Sequence, residues 1–344
     1  MPDPLASLAV GVALLAAACL LFWPNKGLVV RLSSARRSSM RVLREDALKH
    51  ICVAEHEGFC PTLDSIAGAL RIPSSRAAVV IEDLERHELV TSRGERMCLT
   101  PAGRDLGLHV LRAHRLWEQH LAEYTGYDEA EWHAQAEHHE HRLSPKETEA
   151  LEVRLGRPLR DPHGDPIPTT SGANVVHRGH RLTAMAINQP LRVVHVEDEP
   201  GPAYAQLIAE GVYPGMLVRL LEVSPLRVRF WADGNEHVLA PIVAAQVSVV
   251  PELGEASQAG IRTEALSVLR PGEHATVSTI SPRCHGPARW RLMDLGILPG
   301  TKIAAELSGP AGDPVAYRVR ETLIALRRDQ AQMIRITRQP EATP

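Results

Sequence analysis

The stretch RAHRLWEQHLAEYTGYDEAEWHAQAEHHEHRLSPKETEALEVRLGRPLRDPHGDPIP, residues 112–168, decides how this chain is interpreted. It predicts a helix from Asp128 to about His141, and Ser144 begins a capping box for a further helix. Spacings of three and four residues put several polar side chains of the first helix on one face. The potential metal ligands on that face are His133, Glu137, Glu140 and His141.

The helix before it repeats the pattern, because His114 and Glu118 are four residues apart. Imidazole and carboxylate ligands without cysteine or methionine suit Mn(II), Fe(II) or Zn(II) rather than a soft ion. A solvated helix rich in histidine is the alternative, since His138 and His139 lie on other faces. Eight of the 17 histidines lie between positions 109 and 163. They are His109, His114, His120, His133, His138, His139, His141 and His163.

Composition limits the class of protein. A chain of 344 residues predicts several small domains, because single hydrophobic cores stop growing at roughly 250 residues. The net charge of -3 gives no global attraction to nucleic acid, so any DNA contact needs a local basic patch. The five cysteines, at 19, 52, 60, 98 and 284, include no CxxC pair, which argues against a zinc knuckle and a disulfide scaffold.

Upstream, the chain predicts a winged helix. A helix over 45–57 is followed by a short helix capped by Thr62 and by a second helix with Ser74 or Ser75 as its N-cap. Two β-prone runs then surround Arg93-Gly94-Glu95 as a hairpin wing. A long helix follows, with Pro101 in its first turn.

Downstream, the pattern changes to short alternating strands, and one unit occurs twice. Each copy reads as a strand, a short helix, a Pro-Gly turn and three or four strands, which predicts two small FeoA-like β-barrels in a multidomain α+β protein. The predicted domains are a transmembrane anchor (1–24), a basic juxtamembrane linker (25–43), a winged helix-turn-helix (44–108), a dimerisation and metal-binding domain (109–168), a linker (169–188), barrel 1 (189–251), a linker (252–263) and barrel 2 (264–338).

The N-terminus predicts a single membrane-spanning helix. Residues 5–23 contain no charge and would span ~28 Å as a helix. The basic residues follow this stretch rather than precede it, which argues against a signal peptide and places the later domains in the cytoplasm, at the inner membrane. A buried core helix is the other alternative. The basic residues are Lys26, Arg31, Arg36, Arg37, Arg41 and Arg44.

The quoted stretch, with the winged helix back to Asp46, resembles the DtxR/MntR family of metal-dependent repressors over about residues 45–168. The resemblance implies a homodimer and a principal metal set of Asp46, Glu137, Glu140 and His141 with His114. It also implies a second set that includes His133 and Glu118. Asp46 and Glu137 match the manganese-responsive branch, which favours Mn(II), then Fe(II). Lys49 replaces a further carboxylate of that branch.

The tail resembles FeoA domains, most clearly over 291–303. In three-domain iron repressors a related barrel donates a carboxylate and an amide to the second metal site. The matching positions here are interpreted as Pro200 and Ala203, which predicts that the barrels are interaction or autoregulatory modules rather than ligand donors.

DNA binding is expected through the second helix of the motif and the wing. Apolar residues and nearby carboxylates on that helix leave a scaffold role open. The candidate DNA-binding residues are Ser74, Ser75, Arg76, Arg86, Arg93 and Arg96.

Two functions remain open. The first is a membrane-anchored, metal-dependent transcriptional regulator. The second is a metal-sensing regulatory subunit of an ABC-type metal transporter, because the stretch around residues 22–32 resembles the end of such a permease. An enzyme is not expected, since there is no nucleophile motif and no phosphate-binding loop.

Overall fold

The computed structural model describes residues 40–169, 179–252 and 263–338, which fall into two compact units. The first unit contains residues 40–111, and the second contains the remainder. Within the described residues, no helix has both the length and the apolar character needed to cross a bilayer. The anchor predicted at residues 5–23 lies outside them.

The first unit is the predicted winged helix. Its elements are α1 (Met40–His56), α2 (Leu63–Leu70), α3 (Ser74–Arg86), β1 (Val90–Arg93), β2 (Arg96–Leu99) and the first part of α4 (Pro101–Tyr124). β1 and β2 pair antiparallel, with Gly94 and Glu95 as the turn, as the sequence predicts. The three helices and the wing enclose one apolar core that includes Leu48, Ile51 and Leu84.

Local signals explain most helix starts in this unit. Thr62 accepts a hydrogen bond from the Ser65 amide (3.3 Å), so α2 is capped as predicted. The predicted serine cap of α3 was wrong, because Ser74 is already helical and the residue at the cap is Pro73, which has no capping side chain. The Ser74 hydroxyl instead donates to Asp64 (3.0 Å) and joins α3 to α2.

The second unit begins with a helical part that has little apolar interior. It contains the end of α4, then α5 (Trp132–His139) and α6 (Pro145–Arg154). The predicted continuous helix to His141 is interrupted, because 3-10 turns flank α5 at Glu129–Glu131 and Glu140–Arg142. The predicted capping box of Ser144 with Glu147 begins α6.

Two six-stranded sheets follow, and they confirm the internal repeat. The first copy contains β3 (His180–Arg181), β4 (Pro190–Val196), α7 (Gly201–Glu210), β5 (Leu217–Val223), β6 (Val228–Ala232), β7 (Asn235–Leu239), α8 (Pro241–Ala244) and β8 (Val247–Pro251). The second contains β9 (Glu264–Ala265), β10 (His274–Ile280), α9 (Gly286–Asp294), β11 (Lys302–Ser308), β12 (Val315–Val319), β13 (Thr322–Leu326), α10 (Arg328–Gln332) and β14 (Ile334–Thr337).

The order of strands is the same in both copies, 3-8-4-5-6-7 in one and 9-14-10-11-12-13 in the other. In each sheet the first and last strands of this order are edge strands that do not pair with each other. The expectation of closed barrels was therefore wrong, and both copies are open, antiparallel sheets in mixed α+β layers. The first sheet begins at His180, inside the predicted linker 169–188, because that strand pairs with β8 and the following Leu182 is buried in the core.

Close backbone approaches join both sheets to the helical part. The Val196 amide donates to the His163 carbonyl (2.9 Å), and a Cβ on Gly164 would lie 2.1 Å from the Val194 carbonyl. A Cβ on Gly286, which has φ of +50°, would lie 2.2 Å from the Thr125 carbonyl. Glycine is therefore required at both positions.

Candidate metal centre

One group of polar side chains in the second unit is buried with its donor atoms turned toward one another. The group contains Glu118, His133, His163 and Asp198 together with His114, and we call it the Glu118 centre. Glu118 and His163 are almost fully buried, at 1% and 3% exposure. The donor atoms come from α4, α5, the turn at 161–164 and the loop after β4.

The donor atoms of the Glu118 centre lie close enough to one another to contact one shared ion. Glu118 Oε1 lies 3.0 Å from His114 Nε2, 3.4 Å from His133 Nδ1 and 3.8 Å from His163 Nε2. Asp198 Oδ2 lies 2.7 Å from His133 Nδ1 and 3.9 Å from His163 Nε2. Glu118 Oε1, His133 Nδ1 and His163 Nε2 are buried without an aligned hydrogen bond. Buried polar atoms in that state are rare in folded proteins, and a metal site is one explanation.

Hydrogen bonds fix which nitrogen of His163 faces the Glu118 centre. The Tyr204 hydroxyl donates to Glu129 Oε1 (2.8 Å) and is 3.0 Å from His163 Nδ1. Because that hydroxyl has only one hydrogen, Nδ1 must carry the proton and donate to it. The Nε2 atom of a neutral His163 therefore presents a lone pair toward two carboxylates. A cation between them would turn this repulsion into attraction.

The turn that presents His163 is fixed by its own carboxylate. Asp161 Oδ1 accepts hydrogen bonds from the His163 amide (3.0 Å) and from the Asp165 amide (2.8 Å). Burial and the carboxylates of Asp165 and Glu118 raise the pKa of Asp161 well above its usual range.

The charges of the same side chains determine how Glu118 and His133 are protonated when no metal is bound. Burial opposes ionisation of Glu118, but the imidazoles of His114 and His133 outweigh it and lower the pKa of Glu118 well below its usual range. Burial also opposes a charged His133. The carboxylates of Asp198, Glu118 and Glu137 outweigh it and raise the pKa of His133 to about 12. A divalent ion would have to displace that proton.

Three further predicted ligands, Glu137, Glu140 and His141, lie beside the Glu118 centre and its member His114. His114 uses both ring nitrogens, since Nε2 faces Glu118 and Nδ1 contacts Glu140, which is buried. His141 Nε2 lies 3.4 Å from Glu140 Oε1. Glu137 reaches His133 at 3.6 Å with a half-exposed side chain. Asp46 lies on α1 in the first unit, half-buried, so its membership of the principal set stays a prediction.

The sequence analysis predicted no ligand from the first FeoA-like copy, whereas the structure brings a carboxylate of that copy beside the predicted ligands. Asp198 comes from the end of β4 in that copy and contacts His133. Pro200 and Ala203 instead occupy the cap and first turn of α7. The sequence analysis counted His163 among the clustered histidines without assigning it to a ligand set, and it did not single out Tyr204. The acidic run 197–199 directly after a strand was the available signal for Asp198.

The predicted DNA-binding residues lie on the surface of the first unit. Ser74, Ser75 and Arg76 are exposed at the start of α3, and Arg93 and Arg96 at the tip of the wing. Arg86 makes ion pairs with Glu82 and Asp83, both at 3.1 Å, which reduces the positive charge that it offers to a phosphate.

Comparisons with known proteins agree with this arrangement. The family model described as "Iron dependent repressor, metal binding and dimerisation domain" matches residues 100–169, and the FeoA domain model matches residues 265–338. The iron-dependent repressor IdeR of Mycobacterium leprae is 31% identical over 211 residues, which cover 56% of this chain and 90% of that protein. The chain belongs to the DtxR/IdeR family of metal-dependent repressors.

Other relatives of this DtxR/IdeR-family chain are also repressors. The diphtheria toxin repressor of Corynebacterium diphtheriae is 30% identical over 159 residues, 44% of this chain and 70% of that protein. A manganese-dependent transcriptional repressor in complex with manganese matches with a TM-score of 0.56 and 27% identity, and the match covers 61% of this chain and all of that one. ScaR with bound Zn2+ matches with a TM-score of 0.53 and 27% identity, over 61% of this chain and 99% of that one. None of these names describes an enzyme.

Proposed function

We propose that the chain is a transcriptional regulator that binds DNA in response to Mn(II) or Fe(II), with Zn(II) as a further ion that its ligands accept. The observation that carries this proposal is the Glu118 centre, in which three buried donor atoms, on Glu118, His133 and His163, converge without an aligned hydrogen bond. A bound divalent ion would supply the positive charge that this donor set lacks.

The choice of ion follows from the ligands. The Glu118 centre contains nitrogen and carboxylate oxygen donors and no sulfur, a set that suits hard or borderline ions. Glu118, His133, His163 and Asp198 belong to four separate segments, so binding there would hold the dimerisation helices against the first FeoA-like copy. Ion binding would then favour one arrangement of the chain over the others.

The winged helix supplies a surface for DNA. Ala78 and Val79 are exposed on α3 next to Arg76, with half of Val79 accessible. Apolar side chains on a recognition helix contact thymine methyl groups, and arginine contacts guanine or phosphate. We therefore expect these three residues to face the major groove.

A homodimer is part of the proposal. The helical part buries only two small apolar clusters among the described residues, one around Leu116 and Leu151 and one around Leu121 and Trp132. Helices with so little interior of their own gain stability by packing against a second copy.

Attachment to the inner membrane through residues 5–23 remains part of the proposal, and the charge pattern of the sequence supports it. Fractionation of cells that express a C-terminally tagged chain tests it. Recovery of the full-length chain in the membrane fraction is expected, whereas a shortened chain in the aqueous fraction would contradict the anchor.

DNA binding is tested by fluorescence anisotropy of the full chain in detergent, with DNA from upstream of its own gene at one fixed salt concentration. We expect binding that requires Mn(II) and is lost in Glu118→Gln but kept in Glu222→Gln, whose carboxylate pairs with Arg227 and Arg229. Metal binding without DNA binding would contradict the proposal and favour the transporter-linked sensor.

A further inference from the structure

A second cluster of potential ligands lies in the winged helix, far along the sequence from the Glu118 centre. Glu55 is in the last turn of α1, Cys60 is in the loop before α2, and Cys98 is in the wing strand β2. One ligand atom from each lies within 4.8 Å of the other two. We call these three residues the thiol cluster.

Backbone pairing holds the two thiols together. The Met97 amide donates to the Pro61 carbonyl (2.9 Å), and Thr62 forms an antiparallel bridge with Arg96. The loop that contains Cys60 is therefore held beside β2 by one backbone hydrogen bond and one isolated bridge. Cys60 and Cys98 come next to these paired residues, so their proximity is set by the backbone rather than by flexible side chains.

The carboxylate of the thiol cluster is also fixed in place. Glu55 Oε1 accepts a hydrogen bond from the Leu99 amide (2.8 Å), and Oε2 pairs with Arg104 at 2.5 Å. Carboxylates that bind metals are usually oriented by such outer hydrogen bonds. Each partner can remain in place while a carboxylate oxygen also contacts a cation, because each oxygen has two lone pairs.

The electrostatics of the thiol cluster favour a cation. The neighbouring Cys98 thiol, burial and the Glu55 carboxylate raise the pKa of the Cys60 thiol. A raised thiol pKa lowers the thiolate fraction, which makes Cys60 a poor nucleophile. A divalent ion would reverse this effect, since a coordinated thiol is deprotonated.

We propose that Glu55, Cys60 and Cys98 bind a thiophilic divalent cation of the zinc class, which fastens the wing to the loop between α1 and α2. Cysteine sulfur and glutamate oxygen are both accepted by Zn(II), and three protein ligands leave one position for water.

Co(II) tests this proposal, because it replaces Zn(II) and shows near-ultraviolet charge transfer only from thiolate ligands. The full chain in detergent, reduced, with Cys19 replaced by Ser and with Mn(II) already added, is titrated with Co(II). The Glu118 centre contains no sulfur and therefore cannot produce this band. We expect the band in this parent protein, its loss in Cys60→Ser and in Cys98→Ser, and weaker binding in Glu55→Gln.

Cys284→Ser is the matched control, because Cys284 is a free thiol in the second FeoA-like copy, and it should keep the full band. Circular dichroism checks that each variant is folded. Absence of the band in the reduced parent protein would overturn the proposal. So would its persistence in the Cys60→Ser/Cys98→Ser double variant, or its loss in Cys284→Ser alone.

Discussion

Asp198 is the residue that connects the Glu118 centre to the first FeoA-like copy. We expect Asp198→Asn to reduce Mn(II) affinity at least roughly tenfold, because an amide keeps the shape of the side chain but removes the negative charge that the ion needs. Isothermal calorimetry should show the loss as one weakened class of site.

Glu252→Gln is the control for this substitution. Its carboxylate lies in the same domain but pairs with Arg192 (2.8 Å), so it should leave Mn(II) affinity unchanged. Equal affinities of Asp198→Asn and the wild-type chain would show that Asp198 is not a ligand.

His285 predicts a pH dependence of stability. Burial, with the nearby charges of Arg289 and Arg283, lowers the pKa of His285 from 6.5 to about 4. Between these values the unfolded chain binds the proton and the folded chain does not, so stability falls as the pH falls from 6.5 toward 4. Over that pH range, titration of His285 changes the free energy of unfolding by at most about 1.4 kcal/mol per pH unit.

The prediction for His285 is checked by urea unfolding with a chelator present, at about pH 7 and about pH 5. His285→Gln removes the titrating group, so the loss of stability on acidification should be smaller in the variant than in the wild-type chain. A loss of the same size in both would assign the acid sensitivity to other groups.

Among the described glycines, Gly103 at the start of α4 leaves the least space for a side chain. A Cβ on Gly103 would lie 1.8 Å from the Leu89 carbonyl oxygen, which is backbone and cannot move aside cheaply. We expect Gly103→Ala to destabilise the winged helix by about 1–3 kcal/mol or more, as overpacking does. Urea unfolding monitored by circular dichroism measures the change.

Gly68→Ala provides the comparison, because Gly68 is exposed on α2 and a Cβ there meets nothing within 4 Å. Alanine should raise helix stability there by roughly 0.5–1 kcal/mol, through propensity alone. If both substitutions changed the free energy of unfolding in the same direction, the close approach at Gly103 would not explain the effect of Gly103→Ala.

The elements also show what sequence patterns can and cannot predict. The helices and the wing of the first unit follow from local signals, such as the Thr62 cap and the Gly94 turn. The helix at 128–141 was predicted too long, because its face pattern continues through the 3-10 turn where Glu140 meets His114. Asp198 could not be placed, since its contact with His133 depends on packing between segments 65 residues apart.

At the scale of the whole molecule, the second FeoA-like copy contacts the end of α4. The Trp290 indole donates to the Glu123 carbonyl (3.0 Å), and Gly286 lies against Thr125. We expect Gly286→Ala to separate this copy from the helix and to increase the radius of gyration, because the new methyl group has no space. Small-angle X-ray scattering measures the change.

Gly272→Ala is the matched variant, since Gly272 also has a positive φ, +90°, but nothing within 4 Å of a Cβ. Both substitutions introduce backbone strain of roughly 1–2 kcal/mol, whereas only the one at Gly286 introduces a clash. An unchanged radius of gyration for Gly286→Ala would show that other contacts hold the copy in place.

The Glu118 centre has a consequence for the growing chain on the ribosome. Its ligands appear in the order Glu118, His133, His163 and Asp198, after the winged helix is complete. The 35 residues from Gly164 to Asp198 take roughly 2–7 s to synthesise at about 5–20 residues per second. During that interval the residues of the winged helix are already synthesised while the proposed metal centre still lacks the Asp198 carboxylate, so newly made chains would not yet respond to the metal supply of the cell.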